Sequence, residues 1–143
     1  MIVLDTNVLS EILRPVPDTQ VLVWLAAQPR SVLFTTTVTR AELFYGVRLL
    51  PDGQRQTALL DAVQSIFDQD LAGHVLNFDS TAADTYAKIA ASRKAVGKPI
   101  SQFDAMIAAM AKSKGASLAT RNLKDFVDCG IDLVNPWSTS YLK

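Results

Sequence analysis

The chain of 143 residues contains one cysteine, Cys129, and one histidine, His74. A lone cysteine closes no internal disulfide, which points to a reducing compartment. Neither type is numerous enough for a structural zinc site, and the pair is a poor basis for Cys-His or two-histidine catalysis. The six glycines stand singly at 46, 53, 73, 97, 115 and 130, so there is no GxGxxG turn, P-loop or GxSxG elbow. The six prolines are also dispersed, which excludes collagen-like and low-complexity classes. No apolar run approaches the length of a membrane span, and the N-terminal residues lack the features of a secretory signal. The expectation is a cytoplasmic protein without membrane contact. Any catalysis must come from carboxylates, hydroxyls and a metal.

The composition that remains, 49% hydrophobic and 20% charged with mean hydropathy +0.18, is that of a folded chain, and residues 1–143 are the length of a single domain. The net charge is zero but unevenly spread. Residues 1–87 carry 5 basic and 10 acidic side chains, and residues 88–143 carry 9 and 4. That distribution suits either ordinary surface charge or an acidic centre beside a basic rim able to hold a phosphate backbone.

Short apolar runs alternate with helical periodicity. Strands are expected at Met1–Leu4, Ser31–Thr36, His74–Phe78, Ala116–Ala119 and Ile131–Val134. Helices are expected from a Thr6 or Asn7 cap through Leu13, from Asp18 to near Pro29, from a Thr37 or Thr39 cap through Leu50, over 54–68, over Ser80–Val96, over Ser101–Lys114 and, briefly, over Asn122–Val127. Such alternation builds an α/β fold, a mainly parallel sheet of four to five short strands with helices on both faces. Polar residues that do chemistry in these sheets collect beyond the carboxyl ends of the strands.

Four carboxylates fall at that edge: Asp5 after the first strand, Glu42 and Asp104 in the first turns of helices, and Asp125 after the fourth strand. Thr39-x-x-Glu42, Ser101-x-x-Asp104 and Asn122-x-x-Asp125 each also read as capping boxes, which would give the acid a purely local duty. Asp5, ending a strand, has no such duty in this reading. As a set they are costly. Two carboxylates about 4 Å apart repel by about 4 kcal/mol at an effective dielectric near 20, against a domain stability of about 5–15 kcal/mol. Such a cluster persists by taking up protons, by pairing with Lys or Arg, or by holding a hard divalent cation such as Mg²⁺ or Mn²⁺. A carboxylate-held ion can activate water and polarise a phosphodiester, which is hydrolysis without histidine.

These segments resemble a known family. Met-Ile-Val-Leu-Asp5-Thr6-Asn7-Val8-Leu9-Ser10-Glu11 is similar to the opening of PIN-domain ribonucleases, in particular toxins of the VapC and FitB type. The similarity continues through Thr39-x-Ala41-Glu42-Leu43-x-x-Gly46-Val47, Asp104-Ala105-x-Ile107-Ala108-Ala109 and Ala119-Thr120-Arg121-Asn122-x-x-Asp125-Phe126, and ends at Asn135-Pro136-Trp137. The resemblance implies a PIN-like three-layer α/β/α fold and Mg²⁺- or Mn²⁺-dependent RNA cleavage by the toxin of a toxin–antitoxin module. It further implies restraint by a cognate antitoxin, with DNA contacted only through that antitoxin.

The family's metal and catalytic acids map onto Asp5, Glu42 and Asp104. At the fourth position either Asp125 is the remaining acid and ligand, or Asn122 orients a water. Thr6 and Thr120 match the family's hydroxyl-bearing supporting residues. Lys88, Arg93, Lys94 and Lys98, with Lys112 and Lys114, are candidates for an RNA-binding rim or for solvated helix faces. The helix expected over Thr39–Leu50 is apolar almost all round, which suggests either deep burial or a groove for an antitoxin segment with a homodimer surface. Two further readings of the chain stay open. One is a phosphotransfer or phosphatase domain of the haloacid dehalogenase or receiver kind, although Asn7 stands where the dehalogenase signature has a second acid. The other is a non-catalytic binding module.

Overall fold

The structure is a computed structural model and describes residues 1–138; the last five residues of the 1–143 expectation lie outside the described residues. Five short strands form one parallel sheet: β1 (Ile2–Leu4), β2 (Leu33–Thr36), β3 (Val75–Leu76), β4 (Ser117–Ala119) and β5 (Leu133–Val134), in the order β3-β2-β1-β4-β5. The α-helices are α1 (Thr6–Ile12), α2 (Thr19–Ala27), α3 (Thr37–Arg48), α4 (Gln54–Ser65), α5 (Ser80–Ala95) and α6 (Gln102–Ser113). The three-layer α/β/α architecture expected from the alternation is thus present, and no helix among the described residues is long and apolar enough to cross a membrane.

The strands are apolar on both faces because both faces are covered. Val3 and Leu118 point into a core shared with Ile89 of α5 and Ile107 and Met110 of α6. Their neighbours Leu4 and Ala119 point the opposite way, into a core built from Val8, Trp24, Leu43, Val47 and Val63 of α1–α4. This is the two-residue period of a strand read against two separate layers. Alanines 105, 108, 109 and 111 keep α6 slim, which lets it lie close to α5 and the sheet. Helices α5 and α6 are followed by Gly97 and Gly115, at φ of 73° and 66°, where the chain turns through the left-handed region that closes a helix.

The structure revises several local expectations. α1 is capped by Asp5, whose carboxylate accepts the Thr6 N–H, and not by Thr6 or Asn7. α3 is capped by Thr36, whose hydroxyl accepts the Thr39 N–H at 3.0 Å, so the Thr39–Glu42 capping box does not form. The Asn122–Asp125 box is absent too, because residues 123–125 make a single 3₁₀ turn without a side-chain cap. Of the three expected capping boxes only that of Ser101 has its cap, the hydroxyl accepting the Asp104 N–H at 3.2 Å, and Asp18 caps α2 as expected. The stretch read as one helix over 54–68 closes at Ser65 and continues as a wider π turn, Ile66–Asp70.

Candidate active site

Asp5 sits where β1 hands over to α1, at the centre of the sheet's carboxyl edge. It is only 4% exposed. One carboxylate oxygen accepts the Thr6 N–H at 2.8 Å, and the other accepts the Thr120 hydroxyl at 2.8 Å. Thr120 follows β4, the neighbouring strand, and its hydroxyl in turn accepts Asn7 Nδ2 at 3.2 Å and the Asn122 N–H at 3.1 Å. Two donors, the Thr120 one buried, therefore fix the carboxylate without neutralising it. Burial pushes the Asp5 carboxyl up from 3.8 to about 6; the Thr120 and Thr6 bonds oppose that rise, and the negative charges of Asp104 and Glu42 add to it.

Glu42 projects from the second turn of α3, and its Oε1 accepts the Thr6 hydroxyl at 2.7 Å. Thr6 has one hydroxyl proton, so toward Thr39, 3.0 Å away, it acts as acceptor; Thr39 in turn accepts from Thr36 at 3.3 Å. The result is a chain of threonine hydroxyls, Thr36 to Thr39 to Thr6, all donating in the direction of Glu42. Asp104, in the first turn of α6, is half-buried. Its carboxyl is also raised, chiefly by burial, with Ser101 opposing, Asp125 adding, and Arg93 opposing.

Asp5, Glu42 and Asp104 line one open cleft of about 490 Å³, together with Thr6, Asn7, Arg121, Asn122 and Trp137. Asp125 does not line it; it is exposed on the 3₁₀ turn, near enough to raise the Asp104 carboxyl but outside the cleft. Asn122 is at the wall. The remaining supporting residues, Thr6 and Thr120, each hold a carboxylate by a hydroxyl.

The donor set is made of hard oxygens, and burial with like charges disfavours Asp5 as a bare anion; both features fit a hard divalent cation. Among the described residues no three His, Cys, Asp or Glu side chains stand close enough to enclose an ion unaided. A divalent ion held there would take one or two carboxylates and fill its remaining positions with water or substrate oxygens. Asp5 and Asp104, with Glu42 nearby, are the residues able to hold it.

The basic rim needs correction. Arg93 is buried, 4% exposed, and is no surface contact. It follows Ile89 by four residues on the inward face of α5. Its Nε donates to Lys98 O at 2.7 Å, and its Nη1 donates to Asp125 O at 2.9 Å, Val127 O at 3.0 Å and Cys129 Sγ at 3.5 Å. Arg93 is thus a strut that ties the loop after β4 to the end of α5. Lys88, Lys94 and Lys98 are exposed, Lys98 beside Asp128 at 3.8 Å, and none lines the cleft. The cations that do line it, Arg14 and Arg121, were not singled out from the sequence. Arg121 lies inside the Thr120-Arg121-Asn122 segment, and that adjacency was the available signal.

A second groove of about 500 Å³ adjoins the cleft, shares Thr6, Arg14 and Glu42 with it, and is walled by Leu13, Leu43, Val47, Leu50 and Leu59. α3 is therefore neither wholly buried nor wholly free. Leu43 and Val47 are core, whereas Tyr45 and Leu49 are exposed.

A parallel α/β/α sandwich with acids gathered at the carboxyl edge of its sheet is the architecture of a PIN domain, and the chain belongs to that family: the PIN domain profile matches residues 2–129. Within it the chain is of the VapC/FitB type. It is 42% identical over 137 residues to the VapC ribonuclease Y4jK of Sinorhizobium fredii, covering 96% of this chain and 98% of that protein. It is 38% identical over 137 residues to the toxin FitB of Neisseria gonorrhoeae, covering 96% and 99%. A solved structure of FitAB bound to an IR36 DNA fragment superposes with a TM-score of 0.91 at 37% identity, covering 96% of each chain.

Proposed function

We propose that the chain is a Mg²⁺- or Mn²⁺-dependent endoribonuclease, the toxin of a toxin–antitoxin module, and that residues 1–143 act as one unit. The observation that carries this reading is the burial of Asp5 in one cleft with Glu42 and Asp104, an arrangement that is costly without a cation. Similarity to a VapC ribonuclease along almost the whole chain supports it.

Asp5 and Asp104 would hold the ion. Once bound it would neutralise charge building on the phosphodiester and make water easier to deprotonate. Asp5 is kept in place by Thr6 N–H and Thr120 Oγ1, so its remaining lone pairs face the cleft in one orientation. Glu42 Oε1 is taken by the Thr6 hydroxyl, and Oε2 has no protein partner among the described residues. Oε2 is therefore the atom that accepts the proton of the attacking water. Asn122 at the wall orients that water, and Asp125 stays at the edge as a charge acting on Asp104. Lys88, Lys94 and Lys98 form an outer basic rim for RNA.

The apolar groove beside the cleft takes a segment of a cognate antitoxin, the exposed side of α3 pairs with a second copy, and DNA is met only through the antitoxin. The similarity to a solved FitAB–DNA assembly supports this arrangement. The module acts in the cytoplasm, in keeping with a lone, reduced cysteine. The dehalogenase and binding-module readings lose ground to a cleft that gathers Asp5, Glu42 and Asp104. Asp104→Ala is expected to abolish Mg²⁺-dependent RNA cleavage with an unchanged far-UV circular dichroism spectrum; an Asp104→Ala protein that still cuts RNA overturns the assignment.

A further inference from the structure

Arg121 lines the same cleft as Asp5, Glu42 and Asp104, yet it forms no ion pair with any carboxylate among the described residues. A guanidinium among acids should fold onto the nearest carboxylate unless something else holds it. Trp137 holds it: the guanidinium carbon lies over the indole ring, 5.3 Å from the centroid. Both partners are pinned. The Arg121 N–H donates to Asn7 Oδ1 at 3.3 Å, and the Trp137 N–H donates to Asn135 Oδ1 at 2.9 Å. Glu11, which also lines the cleft, is paired with Arg14 at 3.2 Å and accepts the Asp18 N–H at 2.9 Å. The outcome is an exposed, oriented cation whose side-chain N–H donors meet no acceptor among the described residues.

We propose that Arg121 binds a phosphate of the RNA backbone next to the phosphodiester addressed by the carboxylates, and that Trp137 is its positioning residue. This assignment rests on reading the cleft as a ribonuclease site. A polyanion laid across Asp5, Glu42 and Asp104 is repelled wherever no cation faces it, and of the two cleft cations Arg14 is paired with Glu11 while Arg121 is committed to no acid. A planar guanidinium offers phosphate two parallel N–H bonds, and an indole beneath it removes freedom that would otherwise be lost on binding.

The test is binding of a single-stranded oligoribonucleotide to the full chain in EDTA over a range of KCl concentrations. Arg121→Gln is expected to weaken binding about tenfold at low salt and to reduce the slope of log K against log salt by about 0.7, one single-strand phosphate contact. Arg121→Lys is expected to restore the slope without the full affinity. Trp137→Ala is expected to weaken binding with no further loss in the double variant, and Trp137→Phe to retain it. An unchanged slope in Arg121→Gln, or additive losses in the double variant, overturns the proposal. Should Trp137→Ala fail to fold, the two Arg121 variants decide alone, because that side chain is exposed. Hydrolysis of an aryl phosphodiester by the wild-type protein with Mn²⁺ checks the underlying reading separately. If it is absent along with RNA cleavage, the ribonuclease reading falls; if it is present with an unchanged slope, only the Arg121 assignment falls.

Discussion

Replacing the buried Asp5 by asparagine should stabilise the metal-free protein at neutral pH while destroying its activity. A carboxyl raised from 3.8 to about 6 on folding is favoured in its protonated form. Its contribution to stability is therefore full below pH 3.8 and lost as the pH rises through 6, a loss of about 3 kcal/mol. Asparagine has nothing to ionise, but it offers one acceptor oxygen where Asp5 serves both the Thr6 N–H and the Thr120 hydroxyl, at a cost of about 1 kcal/mol. The variant should thus be less stable than wild type by about 0.5 kcal/mol at pH 4, where an unfolded carboxyl is already more than half ionised, and more stable by about 2 kcal/mol at pH 8. Thermal unfolding in EDTA, followed by circular dichroism at each pH, reads this as a difference in midpoint that changes sign between those values. Differencing removes other titrations, such as that of Glu11, whose carboxyl is held low first by the Asp18 N–H and whose stabilisation is lost on acidification. A difference that stays flat from pH 4 to pH 8 refutes the claim that folding holds Asp5 against its ionisation.

Two further outcomes follow from the hydrogen-bond network. Arg93→Met should destabilise the protein by about 3 kcal/mol in urea unfolding, because three carbonyls lose a charged donor; a loss below about 1 kcal/mol would return Arg93 to the surface rim. Thr6→Val should lower kcat for RNA about tenfold by releasing Glu42 Oε1, with Thr6→Ser retaining the rate; equal rates in both variants remove the threonine chain from the mechanism.

The strands were legible because runs such as Ile2-Val3-Leu4 leave no polar position to face water and Leu118-Ala119 are both apolar, which places them inside a two-sided sheet. The convergence of Asp5, Glu42 and Asp104 was legible for the same reason, since each lies at or just beyond the carboxyl end of the sheet. Hydrogen-bond partners were not. The acceptor and donor of the Glu42–Thr6 bond are 36 residues apart, and nothing local distinguishes that bond from a capping box with Thr39. Charge counting misplaced Arg93 because a basic residue on the inward face of a helix looks like any other until the carbonyls of the following loop are seen around it. The pairing of Arg121 with Trp137 was hidden likewise, since it depends on where β5 returns the chain to the cleft.

Calorimetric titration of Mn²⁺ into the metal-free protein tests the central claim most directly. The account predicts saturable binding, abolished in Asp5→Asn, with release of about half a proton per ion at pH 6 and none at pH 8, because Asp5 must give up its proton to bind. Absence of binding heat in the wild-type protein, or the same isotherm in Asp5→Asn, would contradict it.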